Sequence, residues 1–480
     1  MKNHRLILVT GATGYVGGLL IPRLLDEGYS VRVLVRESGK LKAFAWSSRV
    51  EISVGDVLRA DTLEPALSSV DTAYYLIHSM TSGADFAEQD LAAARNFGRA
   101  ARAAGVKRLI YLGGLGGGSD TLSKHLRSRQ ETGKALRESG VPVTEFRAAI
   151  IVGSGSISFE MIRYLTERVP IMICPRWVRT RVQPIAIEDV LSYLVESVRE
   201  PRSADQIIEV GGADVLTYGG LMKGYARVRG LHRLLLNVPV LTPRLSSYWV
   251  HWVTPISAAY ARPLIEGLRS EVVVTDGKAG ELFPGIKPLR YEDAVARALS
   301  ELDPQYWVSR DEVNSDAPPA FRCRGSRSGM IVEVRQRNVS SSPAEVYGAL
   351  IALGGPNGWP CGILWRLRGA IDRMIGGIGM RRHGLKKENL ETGDSLDFFR
   401  VVHIERDGMI RLRAEMKLPG DGWLQFEVKP IDDKMTSLIQ TVFFAPKGLC
   451  GLIYWYLLNP VHRLIFERMI NELAASAERA

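Results

Sequence analysis

The sequence predicts a doubly wound α/β fold with a parallel sheet over residues 1–302, followed by a smaller α+β domain over 329–480. Three observations predict it. The fully apolar run Leu6–Val9 leads into Thr10-Gly11-Ala12-Thr13-Gly14-Tyr15-Val16-Gly17 and then a helical pattern, so strand, glycine loop and helix follow within about thirty residues. Apolar runs and helical patterns then alternate as far as Ile151, the order expected where helices cover both faces of a parallel sheet. Beyond residue 329 the pattern becomes strict apolar/polar alternation, which suits antiparallel strands with one buried face.

Leu6–Val9 has no polar position, as a strand buried on both faces requires. Val16, Leu19, Leu20, Leu24 and Leu25 form one face of the following helix; Gly28 ends it, and Val31–Val35 is the second strand. Further strands are read at Val50–Val54, Ala73–Ile77, Arg108–Leu112 and Val143–Ile151, with helices at Asp85–Ala104 and Ser123–Ser139. His78 and Ser79 close the fourth strand. Ligands bind outside the carboxyl ends of such strands.

The loop has the chemistry of a dinucleotide site. Gly11 permits a tight turn, Gly14 lets backbone N–H groups reach a pyrophosphate, and Gly17 lets the helix pack closely on the strand. Thr13, Tyr15 and Val16 complete the turn at the helix N-terminus, whose free N–H groups and dipole attract negative charge. Arg36 follows the second strand and suits the 2′-phosphate of NADP; Glu37 beside it would instead serve the ribose hydroxyl of NAD. Asp56, with Val57, follows the third strand and either accepts from the adenine amino group or caps a turn.

Composition narrows the function classes. Hydrophobic residues make up 46% and charged residues 24% of 480, ordinary for globular domains, and the length allows two or three cores. The net charge is +10, and from Phe321 onward there are 23 Lys and Arg against 17 Asp and Glu. This balance favours phosphate cofactors or acidic lipid headgroups. The sequence shows no zinc-finger or RNA-binding sheet motif, so nucleic acid is not an expected partner. Cys174, Cys323, Cys361 and Cys450 are far apart, and no metal site is expected. The N-terminus does not read as a signal peptide, and the longest apolar run, Leu449–Leu458, is short of the roughly 20 residues of a spanning helix. The expected location is the cytoplasm or the inner face of the membrane.

Thr10-Gly-Ala-Thr-Gly-Tyr-Val-Gly17, Gly55-Asp56, Arg147-Ala-Ala-Ile-Ile-Val-Gly153 and Gln183-Pro-Ile-Ala-Ile-Glu-Asp-Val190 resemble the extended and atypical short-chain dehydrogenase/reductase (SDR) superfamily, with Arg36 placed as in its NmrA-like branch. The resemblance implies a Rossmann fold binding NADP(H), with NAD as the alternative. Catalytic members carry a serine and a Tyr-x-x-x-Lys pair. Here the matching helix is read at Gln130-Glu-Thr-Gly-Lys134, which keeps lysine but not tyrosine, and the serine position falls in Tyr111–Leu115, which has none. Lys134 is then either a ribose ligand or an exposed helix lysine. His78 is the candidate acid/base in place of tyrosine, or a packed, hydrogen-bonded histidine; Tyr75 and His125 are secondary candidates.

Residues 303–328 read as a linker, with Pro318, Pro319 and a basic, glycine- and serine-rich stretch. Beyond it, Met330–Arg337 reads as a strand and Pro343–Leu353 as a helix. Ile410–Leu418 and Leu424–Val428 alternate about a turn at Pro419–Gly422, and a last helix covers Pro460–Ala475. This order resembles the START-like helix-grip fold, whose cavity between sheet and last helix takes apolar ligands. The whole chain also resembles bacterial SDR proteins with an appended domain, through Gly393–Arg400, Ala414–Gly420 and Tyr454–Tyr456. Arg381, Arg382, Lys386 and Lys387 make a basic run suited to phosphate or anionic lipid, or to a solvated loop. Three functions stand: an oxidoreductase for an apolar substrate, a non-catalytic NAD(P)H-binding sensor or assembly factor, and a lipid-binding protein.

Overall fold

The computed structural model describes residues 3–78, 86–116, 123–238, 267–268, 270–301, 304, 322–327, 329–354, 358–379, 390–432 and 434–479. The expected linker lies largely outside these residues, as do Ser79, Asp85 and the basic run Arg381–Lys387. The chain divides into two compact units, Met1–Val313 and Asn314–Ala480.

In the first unit, β1 (Asn3–Thr10), β2 (Tyr29–Val35), β3 (Glu51–Val54), β4 (Thr72–Tyr75), β5 (Arg108–Gly114), β6 (Val143–Ala148) and β7 (Ile207–Val210) form one sheet. Its order is β7-β6-β5-β4-β1-β2-β3, with every neighbouring pair parallel. The connections use α1 (Tyr15–Asp26), α2 (Leu63–Leu67), α3 (Phe86–Ala103), α4 (Lys124–Arg137), α5 (Ile157–Arg168) and α6 (Ile187–Ser197). Helices α7 (Tyr218–Arg229), α8 (Lys278–Leu282) and α9 (Tyr291–Ser300) follow. Ile7, Leu8 and Val9 are fully buried, as their unbroken apolar run requires. Strand order reverses between β1 and β4, and the Thr10 hydroxyl stitches that seam: it donates to Tyr74 O (2.9 Å) and accepts from Leu76 N (3.1 Å).

Pro22 sits inside α1 and has no N–H to offer the Gly18 carbonyl one turn earlier; the Trp46 indole N–H donates there instead, at 3.2 Å. β6 ends three residues before the expected Ile151, because Ile151-Val152 leaves the sheet to pair with Ile185-Ala186. Glu145 on β6 is fully buried and holds two cations, Arg137 of α4 and Arg147 of its own strand. Gly133 on α4 faces it so closely that a Cβ there would collide with the carboxylate.

The second unit is an antiparallel sheet of β8 (Arg322–Arg327), β9 (Met330–Val339), β10 (Ser395-Leu396), β11 (Phe399–Glu405), β12 (Met409–Ala414), β13 (Gly420–Asp432) and β14 (Met435–Pro446), in the order β8-β9-β14-β13-β12-β11-β10. Helices α10 (Pro343–Ile351), α11 (Gly362–Met374) and α12 (Gly448–Ala477) accompany it. Leu412, Leu424, Phe426, Val442 and Phe444 share one core with Trp455, Phe466, Met469 and Ile470 of α12.

Four expectations change here. The last helix starts at Gly448, so Tyr454, Trp455 and Tyr456 lie within it and Pro460 is internal; Trp455 stacks on Phe444 (5.0 Å between centroids), and such packing outweighs the proline. Helix α11 is an element the sequence reading missed. The reversal falls at Glu415–Pro419, since Gly420 and Gly422 already pair with Pro446 and Phe444 of β14. Arg411, placed by alternation on a polar face, is only 2% exposed, and its Nε donates to Gln425 (2.7 Å). The apolar face also holds polar groups: Arg335 pairs with Glu333, while the fully buried Gln440 has neither amide atom hydrogen-bonded among the described residues.

Glu145→Ala leaves two cations without their buried carboxylate. It is expected to destabilise the first unit by about 3 kcal/mol, read by denaturant unfolding; a loss near zero would mean that the charges are solvated in place.

Candidate functional site

The strand-order reversal opens a crevice outside the carboxyl ends of β1 and β4, and the glycine loop lines one wall. Gly11 has φ +67°, and a Cβ there would stand 2.6 Å from the Leu76 carbonyl oxygen of the chain leaving β4. Only glycine fits that conformation and that space. Gly14 has an ordinary φ of −80° as N-cap of α1; its N–H donates to Gly11 O at 2.9 Å, and with Thr13 it is exposed at the mouth. Gly17 is buried so close to the Gly11 carbonyl that a side chain would force the helix off the strand. Tyr15 and Val16 are half-buried, and the Tyr15 hydroxyl abuts Gly153, beyond β6. This cradle, with a helix N-terminus behind it, fits a pyrophosphate.

Arg36 is exposed just past β2, whereas the Glu37 carboxylate is drawn to Lys40 (3.1 Å). Asp56 organises its own turn, its Oδ1 accepting from Leu58 N (3.0 Å) and its N–H donating to Thr62 (3.0 Å). Val57 is buried in the core with Leu63 and Phe97, so it offers the crevice backbone alone.

His78 lies three residues beyond β4. Its Nδ1 stands 3.4 Å from Asp90 of α3, and its ring meets that of His125 of α4 edge-on, 4.6 Å between centroids. Burial lowers the His78 pKa, Asp90 partly restores it and Arg129 opposes protonation. His125 is pushed down to about 3 by burial first, then by His78 and Arg129. Both rings are therefore neutral at pH 7. With Asp90 accepting from Nδ1, the His78 Nε2 carries the lone pair; that atom is buried and lacks a hydrogen-bond partner among the described residues.

Arg129 of α4 also turns inward. Its Nη2 donates to Leu112 O at the end of β5 (2.5 Å), and its buried Nε–H has no acceptor among the described residues. Gln130 donates to Gly116 O (2.5 Å). Lys134 is elsewhere: its side chain is 73% exposed and nearest Glu138 (3.9 Å). At 100° per residue it is half a turn from His125 around the helix. Five residues earlier, His125-Leu-Arg-Ser-Arg129 has the same spacing and lies on the half-buried side of the helix. The signal was in the sequence as a second x-x-x pair, and burial alone chooses between them. Within Tyr111–Leu115, Gly114 has no room for a side chain, since a Cβ there would stand 2.8 Å from Leu126 and 3.3 Å from Arg129. Tyr75 packs against Phe97 and Tyr111 in the core and is outside the crevice. In the Gln183–Val190 segment, Gln183 bridges Gly212 and Val274, and Asp189 accepts from Leu289 N, which ties the loops together.

Comparisons with known proteins agree with this geometry. Residues 11–156 match a family described as NAD(P)H-binding, and residues 329–469 match a family described as a protein of unknown function. The ceramide reductase of Caulobacter vibrioides is 29% identical over 240 residues, 48% of this chain and 73% of its own. The photosystem II assembly factor Ycf39 of Cyanophora paradoxa is 25% identical, over 49% of this chain and 72% of its own. A triphenylmethane reductase structure from Citrobacter superposes on 61% of this chain and 99% of its own with a TM-score of 0.50 at 18% identity, a likeness of fold.

Gly14→Val is expected to abolish nucleotide binding while the melting temperature stays within a few degrees, because only the Gly11 carbonyl (3.1 Å) crowds a Cβ there. Gly11→Val is expected to unfold the unit. Calorimetric titration with NADPH and thermal melts check both, and unchanged affinity in folded Gly14→Val would remove the cradle's assignment. With the cradle, the crevice and the family match in agreement, the first unit is an NAD(P)H-binding domain of the Rossmann type, similar to SDR and NmrA-like proteins.

Proposed function

We propose that the first unit is an NADPH-dependent reductase for an apolar carbonyl substrate, with His125 in the tyrosine's place and Arg129 in the lysine's. The observation that carries this reading is the trio at the crevice floor: His78, His125 and Arg129 converge from two elements, and two of their nitrogens are buried without partners among the described residues. The nicotinamide, when bound, supplies a hydride to a carbonyl carbon. The oxygen must then gain a proton, and the negative charge developing there needs donors already in place. His125 presents a neutral imidazole N–H to the developing charge, Arg129 brings fixed positive charge, His78, oriented by Asp90, holds the His125 ring in place, and the proton that the oxygen gains comes from water. The second unit, read as a START-like helix-grip module, binds an apolar ligand of its own. An antiparallel sheet with a long C-terminal helix supports that reading, and similarity to a ceramide reductase puts ceramide-type lipids first among substrates.

NADPH is preferred to NADH because Arg36 is exposed at the end of β2 while Glu37 is engaged by Lys40. Arg36→Ala is expected to weaken NADPH by about 1.5–3 kcal/mol and NADH much less; equal losses by calorimetric titration would count against the assignment.

A second reading has its own support. Both histidines are held neutral, the serine and tyrosine are missing, and one relative is an assembly factor, all of which suit a protein that binds NADPH without turning it over. Oxidation of NADPH with a panel of apolar carbonyls separates the two. The reductase reading expects turnover that falls about a hundredfold or more in His125→Phe, with NADPH affinity kept. Tight NADPH binding with no oxidation across the panel would favour the non-catalytic reading.

A further inference from the structure

We propose that the second unit docks on the surface of a bilayer containing anionic lipid, through α11 and the first two-thirds of α12. On α11, Ile363 (74% exposed), Leu367, Ile371, Met374 (86%) and Ile375 recur at helical spacing on the outer face, while Trp365 faces the core. On α12, Leu449, Ile453, Tyr456, Leu457 (74%), Val461 and Leu464 do the same, while Trp455 and Phe466 face inward. Both helices reach the same loop: Arg368 of α11 donates to Lys417 O (2.8 Å), and Gly451 of α12 lies against Pro419 O two residues on. A buried side on one face and large exposed apolar residues on the other is costly in water, and two helices that meet the same loop share the pattern.

The charges choose the occupant. The exposed charged residues of α11 are Arg366 and Arg373, and from Gly448 to Phe466 α12 has no acidic residue, only Arg463 and the half-buried His462. Lys447 precedes it. The apolar stripe stops where acids begin, at Glu467 and Glu472. In sequence, α11 is followed by Arg381, Arg382, Lys386 and Lys387. A second copy of this surface would oppose cation to cation across a two-fold axis. An anionic leaflet attracts the cations and takes up the apolar side chains, with Tyr456 at headgroup depth. Among the described residues no helix is long and apolar enough to cross a membrane, so the contact is with the surface.

The test uses the full chain with extruded vesicles of phosphatidylcholine alone, or with one third phosphatidylglycerol, in a sedimentation assay. The expected result is binding to the anionic vesicles at least about tenfold tighter than to the neutral ones. The double variant Met374→Glu, Leu457→Glu is expected to lose that binding about tenfold or more while circular dichroism and NADPH affinity stay unchanged; both residues are exposed, so folding does not depend on them. Wild-type protein remaining in the supernatant, equal binding by the variant, or equal binding to neutral vesicles would overturn the proposal. So would a dimer by light scattering that the double variant dissociates, since that would assign the surface to a second copy. None of these readouts depends on turnover, so the reductase reading stands or falls separately.

Discussion

The absence of a side chain at Gly11 governs the first unit. β1 and β4 run side by side, and beyond them the chain must turn in opposite directions: β1 into the glycine loop and α1, β4 toward His78. Leu76 O lies where a Gly11 Cβ would be, and the Thr10 hydroxyl ties the same two strands together just before they part. That close seam puts the helix N-terminus and the end of β4 around one crevice. With α1 farther from the sheet, the amides at its N-terminus and His78 beyond β4 would no longer face a common crevice.

The floor of the crevice departs from the usual chemistry in a consistent way. Where a serine hydroxyl is expected, Gly114 gives its space to Leu126 and Arg129. Arg129 is pinned by the Leu112 carbonyl, which directs its Nε–H inward. The two histidines meet in a setting that disfavours protonation, so their work at neutral pH is that of hydrogen-bonding imidazoles. A positive group and two neutral rings make a different set of donors from a lysine-supported tyrosine.

Much of the first unit was legible in the sequence, because buried parallel strands are fully apolar and glycine loops are punctuated by residues with a steric reason to be there. Which side of α4 turns inward was not. Gln130-Lys134 and His125-Arg129 have equal spacing, and a basic residue on a helix declares neither its face nor its burial; only the depth of His125 and Arg129 against β5 settles which pair looks inward. In the second unit, alternation placed Arg411 correctly on the face opposite Leu412, but a pattern of two says which face a residue takes and not whether that face is wet. Helix α11 escaped notice because it exposes Ile363, Leu367 and Met374, which blurs the amphipathic pattern by which helices are recognised.

The central claim is that the crevice at the β1/β4 seam holds NADPH. Amide hydrogen exchange on the full chain, with and without saturating NADPH, tests it most directly. The account predicts new protection in the peptides spanning Thr10–Gly18 and Leu76–His78, the loop and strand end that face the cofactor. NADPH bound with protection confined to other segments would contradict it.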